Sequence, residues 1–187
     1  SGNSASTHSG AIYNGATLNI QGGSITSNIS TNNGGGINNA GTLNLSNGTI
    51  SGNSSTSGNG NGIYQNGTMN LSGSPTFGVN DVYLPCNKST DNGSGTNRVI
   101  TKNGYITMSD GSLHVTLGNN ASNLYTGRNI LETGSGNVIK DDLKIFVFEN
   151  QTQIDAKTLV VFFTQIDATT SKSVIELSVY PTWVTVV

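Results

Sequence analysis

The charged side chains of this 187-residue chain are confined to its later part. Residues 1–80 contain no Asp, Glu, Lys or Arg, and His8 is their one side chain that titrates near neutral pH. All 8 basic and 10 acidic residues lie from Asp81 onward. Cleavage of a glycosidic bond needs carboxylates, often with Arg, Lys or Ca²⁺ beside them. The first 80 residues supply none, so we predict that the chain is not an enzyme, with a polysaccharide lyase or hydrolase as the less favoured alternative.

Histidine and cysteine show no motif either. His8 and His114 have no spacing that links them to a nucleophile or to other metal ligands, so both are expected to be polar residues of a strand or surface. Cys86 is the single cysteine, which excludes an intrachain disulfide and a thiolate cluster. We predict no catalytic residues, no cofactor and no metal site.

A short internal repeat offers the one candidate carboxylate pair. Residues 152–156 read TQIDA, and residues 164–168 read TQIDA again. The step of 12 residues matches a strand plus a turn and would place Asp155 and Asp167 at equivalent bends. Such a pair could bind Ca²⁺ or do acid–base work. Solvated turn aspartates are the interpretation that we favour.

The polar first part consists of three copies of one pattern. The copies are residues 1–26, 27–50 and 51–77, and Asn3, Asn28 and Asn53 recur at steps of 25 residues. Periods of 20–50 residues are typical of solenoids, whose units bury their apolar faces by stacking. The sequence therefore predicts a stacked repeat architecture.

Each copy has three short apolar segments, which are residues 11–13, 17–20 and 24–26 in the first copy. Alternation puts Leu18 and Ile20 on one face, as in a strand. The turns are too short for helices, so successive copies should pair in parallel. We predict an all-β chain with a short right-handed parallel β-helix of three to four repeats over residues 1–86, residues 80–84 forming the fourth.

Stacking places equivalent residues in columns. The predicted inward columns are Ile12/Ile37/Ile63, Leu18/Leu43/Met69, Ile20/Leu45/Leu71 and Ile25/Ile50/Phe77. Equivalent asparagines could stack as an amide ladder, and these are Asn3, Asn28, Asn53 and Asn80. A role as simple turn residues is the alternative for each of them.

These repeats carry a family resemblance. The segments GAIYN (10–14), GGGINN (34–39) and GTLNLSNGTISGN (41–53) resemble repeats of bacterial extracellular β-helix proteins. Such proteins include polymorphic outer-membrane adhesins and autotransporter passengers. Residues 82–85 and 113–134 are similar to segments that follow such repeats. The resemblance implies a non-enzymatic structural protein that is extracellular or at the cell surface.

An outward array suggests a second function. The alternation that buries Leu18 and Ile20 points a Thr-x-Asn pattern outward, and its members are Thr17, Asn19, Thr42, Asn44, Thr68 and Asn70. The array looks like the Thr-x-Thr ladders of β-helical ice-binding proteins and would also suit glycan contact. Ice or glycan binding is therefore the alternative function, and plain solvent coverage is the simpler explanation.

The later part has longer β-prone runs. The predicted strands are residues 98–101, 105–108, 112–117, 143–148, 157–164, 173–180 and 182–187. We predict that residues 87–187 form a C-terminal β-sandwich-like domain or a cap.

Composition and termini complete the functional prediction. The net charge of −2 argues against nucleic-acid binding, and no apolar run reaches the ~20 residues of a membrane helix. We expect a surface adhesin module or a filament subunit joined head to tail to copies of itself, or else a piece of a longer surface protein. The predicted assembly residues are Ser1, Gly2, Asn3, Trp183, Val184, Thr185, Val186 and Val187.

Overall fold

The computed structural model describes residues 1–85, 98–118, 128–149, 159–167 and 172–179. Within them the fold is all-β, with one 3₁₀ helix and no α-helix. The strands up to residue 84 are β1 (Ser4–Ala5), β2 (Ile12–Asn14), β3 (Thr17–Thr26), β4 (Ile29–Ser30), β5 (Ile37–Asn39), β6 (Thr42–Ser51), β7 (Ser54–Ser55), β8 (Ile63–Gln65), β9 (Thr68–Gly73) and β10 (Asp81–Leu84). The later elements are β11 (Ile100–Ile106), β12 (Leu113–Leu117), β13 (Arg128–Thr133), the 3₁₀ helix (Lys140–Ile145), β14 (Phe146–Phe148), β15 (Leu159–Asp167) and β16 (Lys172–Val179).

The strands form three sheets, in which each copy of the repeat places a strand beside the strand of the next copy. Sheet A has the order β1-β4-β7, sheet B the order β14-β12-β10-β8-β5-β2, and sheet C the order β15-β16-β13-β11-β9-β6-β3. Residues pair with their counterparts one repeat away, as Ile12 with Ile37 and Ile37 with Ile63. The predicted all-β class and the parallel stacking of the repeats are confirmed.

The division of a repeat into strands differs from the prediction. Residues 17–20 and 24–26 were expected to be separate strands, but they lie in the single ten-residue strand β3. Gly23, at a φ of 82°, lets the strand bend while its pairing with β6 continues through two register irregularities. The third sheet instead comes from the two-residue strands at Ser4, Ile29 and Ser54, which the apolar pattern did not indicate because their side chains are mostly polar.

The predicted inward columns form one hydrophobic core. Residues of the second and third copies are almost completely buried, and these are Ile37, Leu43, Leu45, Ile50, Ile63, Met69, Leu71 and Phe77. Their first-copy counterparts Ile12, Leu18 and Ile25 are only partly buried. Burial of each such side chain contributes roughly 1.5–3 kcal/mol. The core is therefore continuous along the stack and thins at the first repeat.

Two of the sheets run past position 86. In sheet C, β11 pairs in parallel with β9 on one side and with β13 on the other. In sheet B, β12 pairs in parallel with β10 and with β14. Antiparallel pairing enters where β16 joins both β13 and β15. The pairing of β10 with β8 and of Asn80 with Asn53 confirms that residues 80–84 continue the repeats.

Several predicted strands of the later part have different bounds. The segments 98–101 and 105–108 are one strand, β11. The predicted strand 143–148 begins as the 3₁₀ helix, because Asp142 turns inward and accepts a hydrogen bond from the backbone N–H of Ile139 at 2.8 Å. The strand 182–187 lies outside the described residues, and the sandwich-like or capping character of residues 87–187 stays a prediction.

Candidate functional site

A buried amide ladder joins the copies of the repeat. The side-chain Nδ2 of Asn3 donates to Oδ1 of Asn28 at 3.0 Å, Asn28 to Asn53 at 2.8 Å, and Asn53 to Asn80 at 2.8 Å. Each Oδ1 also accepts the backbone N–H of the preceding asparagine in the ladder, at 2.9–3.0 Å. The ladder predicted from sequence is confirmed, and it satisfies buried polar groups that would otherwise be costly.

A second buried ladder was missed. Asn14 donates from Nδ2 to Oδ1 of Asn39 at 2.7 Å, and Asn39 donates to Oε1 of Gln65 at 2.8 Å. Gln65 ends the ladder by donating to the carbonyl oxygen of Gly67. The signal was present, because these three amides stand two residues after Ile12, Ile37 and Ile63 in their copies.

The predicted outward array lies in register on sheet C. Thr17, Thr42 and Thr68 pair across the strands, and so do Asn19, Asn44 and Asn70. Asn44 donates from Nδ2 to Oδ1 of Asn19 at 2.7 Å, and Asn70 donates in the same way to Asn44 at 2.7 Å. These bonds leave each amide with further hydrogen-bonding capacity that faces solvent.

The asparagine column borders a shallow groove of about 200 Å³. Its other walls are polar side chains of neighbouring columns, among them Gln21, Ser46, Ser72 and Asn103. Beyond Asn70 the column no longer contains asparagine. Thr101 pairs with Asn70 in the next strand, and the Thr101 hydroxyl donates a hydrogen bond to Glu132 at 3.3 Å. The ordered amide array therefore spans three strands.

The first repeat ends all three sheets. β1, β2 and β3 are the outermost strands of sheets A, B and C, respectively. Gly2 donates its backbone N–H to the carbonyl oxygen of Thr26 at 3.1 Å, so Ser1 to Asn3 already belong to the stack. The predicted partner segment, Trp183 to Val187, lies outside the described residues. Of the predicted assembly residues, the structure thus places those of the N-terminal edge.

A buried ion pair was not predicted. Lys102, which is 5% exposed, takes the inward position next to Leu71 in register. Its Nζ lies 3.0 Å from Oδ1 and 2.8 Å from Oδ2 of Asp142. The pattern of apolar residues did not predict a lysine in an inward column, and its partner Asp142 is 40 residues further along the chain.

The other titratable groups form separate pairs. His8 meets the ring of Tyr13 edge-on at 5.1 Å, and His114 Nδ1 contacts the carboxylate of Glu149. A hydrogen bond to Asp141 raises the pKa of exposed Lys144. Asp155 lies outside the described residues and Asp167 is the last residue of β15, so solvated turn aspartates, with Ca²⁺ binding as the alternative, stay a prediction. The described segments contain no cluster of three or more potential metal ligands.

Tyr64 lies half-buried at the pairing of β8 with β10. It stacks on Tyr83 with ring centroids 5.6 Å apart and planes within 10°. Burial raises the pKa of the Tyr64 phenol above its usual value of 10.0, and the nearby Arg98 guanidinium partly offsets this. The pair packs on the outer face of sheet B, where Tyr83 pairs with Tyr64 in register.

Comparison of the chain with protein-family models, with curated proteins and with solved structures gives no match. Among the described residues, no helix has the length and apolar character needed to cross a membrane. The features that bear on function are therefore the stacked strands, the outward array and the outermost strands β1, β2 and β3 of the first repeat.

Proposed function

We propose that this chain is a non-enzymatic structural module of an extracellular or cell-surface protein that assembles end to end. The observation that carries the proposal is that β1, β2 and β3 of the first repeat are the outermost described strands of all three sheets, so that a further set of strands can pair with them. Unpaired parallel edges are templates for further strands. The polar, nearly uncharged repeats and their resemblance to bacterial surface proteins support the location and an adhesin or filament role.

The repeats close into a right-handed parallel β-helix in this proposal. Sheets B and C share one hydrophobic core, and sheet A adds a third set of parallel strands, which is consistent with such a solenoid. The right hand follows from the general handedness of connections between parallel strands. The antiparallel pair β15–β16 then ends sheet C on the far side, where β15 is the outermost described strand and offers an edge to the first repeat of the next copy.

The surface of the first repeat suits a second copy of the same chain. Ile12, Leu18 and Ile25 are partly exposed there, whereas their counterparts one repeat later are buried. Oδ1 of Asn3 accepts no hydrogen bond within the described part of the chain, although Asn28 and Asn53 each accept two at this atom. An incoming strand with apolar side chains would complete the core, and a backbone N–H or an amide on it would satisfy Oδ1 of Asn3.

Electron microscopy and sedimentation velocity over a range of concentrations test the proposal. We expect rods or filaments that lengthen with concentration. Leu18→Lys puts an ammonium group on the stacking surface and should leave monomers, while Thr17→Lys, on the exposed outer side of the same strand, should still assemble. Deleting residues 183–187 tests whether this segment contacts the first repeat of the next copy. The deletion should abolish assembly and leave folded monomers, and intact polymers would contradict a role for this segment. A wild-type chain that is monomeric at every concentration contradicts assembly between copies and favours a piece of a longer stalk.

A second candidate function is binding through the outward array. The observation in its favour is that direct amide hydrogen bonds hold Asn19, Asn44 and Asn70 in an ordered row. An ice surface or a glycan could use such a row of fixed donors and acceptors. For ice binding, thermal hysteresis should be measurable in wild type and strongly reduced by Thr42→Tyr. Absence of thermal hysteresis in wild type ends the ice hypothesis.

A further inference from the structure

A second cavity lies beside β11, the strand that follows β9 of the outward array in sheet C. It measures about 390 Å³, within the range of roughly 300–1,000 Å³ that is usual for small-molecule sites. Residues from β11 and from the segment after β13 line it, and these are Lys102, Gly104, Tyr105, Ser135, Gly136, Asn137 and Ile139. The cavity is formed by a bend of the backbone rather than by the repeats.

The floor of the cavity is a close backbone contact. Gly104, at a φ of 122°, lies in the irregular part of β11, and a Cβ on Gly136 would sit 2.3 Å from its carbonyl oxygen. The carbonyl oxygen of Lys102 accepts hydrogen bonds from the backbone N–H groups of Gly134 and Gly136 at 2.9 and 3.2 Å. Only glycine permits this approach, so glycine at position 136 lets the two chain segments come together at the cavity.

Apolar and neutral polar groups face each other across the cavity. Tyr105 is 89% exposed and Ile139 is 52% exposed, so both side chains are accessible to a ligand. Ser135 and Asn137 are exposed polar residues at the same rim. Asn103, two residues before Tyr105 on the outward side of β11, hydrogen-bonds the N–H of Ser135 and also lines the 200 Å³ groove of the amide array.

The one charged side chain that lines the described cavity has a counter-charge. Nζ of Lys102 lies 3.0 Å from Oδ1 and 2.8 Å from Oδ2 of Asp142. A lining without an uncompensated charge does not select an ionic ligand. It suits a ligand that is apolar on one face and carries hydroxyl groups at its edge, as a pyranose ring is.

We propose that the cavity at Tyr105 and the groove of the amide array together bind a neutral linear saccharide. One sugar ring stacks on Tyr105 beside Ile139, and the chain runs from Asn103 across β9, β6 and β3. Strands in a sheet are about 4.8 Å apart, which is comparable with the length of one pyranose unit, so successive sugars meet Asn70, Asn44 and Asn19. The inference deepens the glycan form of the second candidate function and does not depend on end-to-end assembly.

Titration calorimetry with defined neutral hexasaccharides (cellohexaose, mannohexaose and chitohexaose) tests the proposal, with hexagalacturonate as the anionic comparison. We expect at least one neutral hexasaccharide to bind, and Tyr105→Ala to weaken it about tenfold. Tyr13→Ala, at an exposed tyrosine on sheet B, is the matched control and should leave affinity unchanged.

The array is tested separately by chain length. Asn44→Ala should weaken the hexasaccharide about threefold and leave the corresponding disaccharide unaffected, because only the longer ligand reaches β6. Absence of binding by all three neutral hexasaccharides at millimolar concentration, equal loss in Tyr13→Ala and Tyr105→Ala, or preferential binding of hexagalacturonate would each overturn the proposal. Assembly in sedimentation experiments is unaffected by any of these results, so the two proposals fail independently.

Discussion

The repeats up to residue 84 and the segments from residue 98 to 149 build the same two sheets with different side chains. In the repeats, apolar residues stack on apolar residues and amides on amides. In the later segments Lys102 follows Leu71 in the inward column, and Thr101 and Glu132 follow Asn70 in the outward one. Parallel pairing persists through both regions, so backbone register survives the loss of repeated side chains.

The difference shows what side-chain repetition contributes. Stacked identical amides supply each other's hydrogen bonds without any residue from elsewhere in the chain, as Asn28 and Asn53 do. Once identity is lost, each position needs its own partner, and Lys102 is neutralised by Asp142 from the 3₁₀ helix. The later region therefore combines apolar stacking, as of Ile100 between Met69 and Leu131, with pairs such as Lys102–Asp142 that depend on one specific partner.

The ion pair offers the largest test of that contrast. Asp142→Ala leaves the Lys102 ammonium buried without its counter-charge and should lower the free energy of unfolding by about 3–5 kcal/mol. Urea denaturation followed by circular dichroism measures this loss. The double variant Lys102→Met/Asp142→Leu, which removes both charges, should recover most of it. A single variant as stable as wild type would show that the pair is solvated in solution.

The position of a residue along the stack should decide its contribution to the core. Leu43→Ala empties a fully buried site and should cost about 2–5 kcal/mol. Leu18→Ala removes the same atoms at the open first repeat and should cost about 1–2 kcal/mol. Both are measured by urea denaturation at a protein concentration where the chain is monomeric. Equal costs would mean that another surface covers Leu18.

The two kinds of amide ladder should differ in the same way. Asn28→Ala removes the acceptor of two donors of Asn3 inside the stack and should cost roughly 1–3 kcal/mol. Asn44→Ala acts on the outward ladder, where water replaces the lost partner, and should change stability by less than about 0.5 kcal/mol. Thermal unfolding of the two variants gives the comparison. A larger loss at Asn44 would assign the outward array a structural role.

Sequence reasoning succeeded where each residue is repeated. The spacing of Ile12, Ile37 and Ile63, at steps of 25 and 26 residues, predicted their register, because stacking of like residues buries them together. The ladder followed from the steps of 25 residues between Asn3, Asn28 and Asn53, with Asn80 as the corresponding residue of the fourth repeat. The two-residue strands of sheet A were missed because mostly polar side chains such as Ser4 carry no apolar alternation, although their backbone pairs normally.

The later region shows why the rest could not be predicted. No residue pattern connects Lys102 with Asp142, because their contact depends on how β11 and the 3₁₀ helix meet. The cavity at Tyr105 likewise arises from the bend at Gly104 and its contact with Gly136, two glycines without a repeat partner. For the outward array, the sequence predicted the row of residues correctly, while the groove beside it required the neighbouring columns in three dimensions.

The smallest expected effect concerns Tyr64, which lies where the repeats meet the later segments. Burial raises its phenol pKa in the folded state above the value of 10.0 expected when unfolded, so the folded state holds the phenol proton more tightly. The contribution of Tyr64 to stability is then fully present below pH 10 and is lost as the pH rises through the folded pKa.

Tyrosinate absorbance in an alkaline titration should show a late-ionising component that Tyr64→Phe removes. Arg98→Ala should shift this component to still higher pH, because the guanidinium that favours the phenolate is gone. If Arg98→Ala instead lowers its pKa, then Arg98 raises the pKa by burying the ring, and its charge is the lesser effect at this junction.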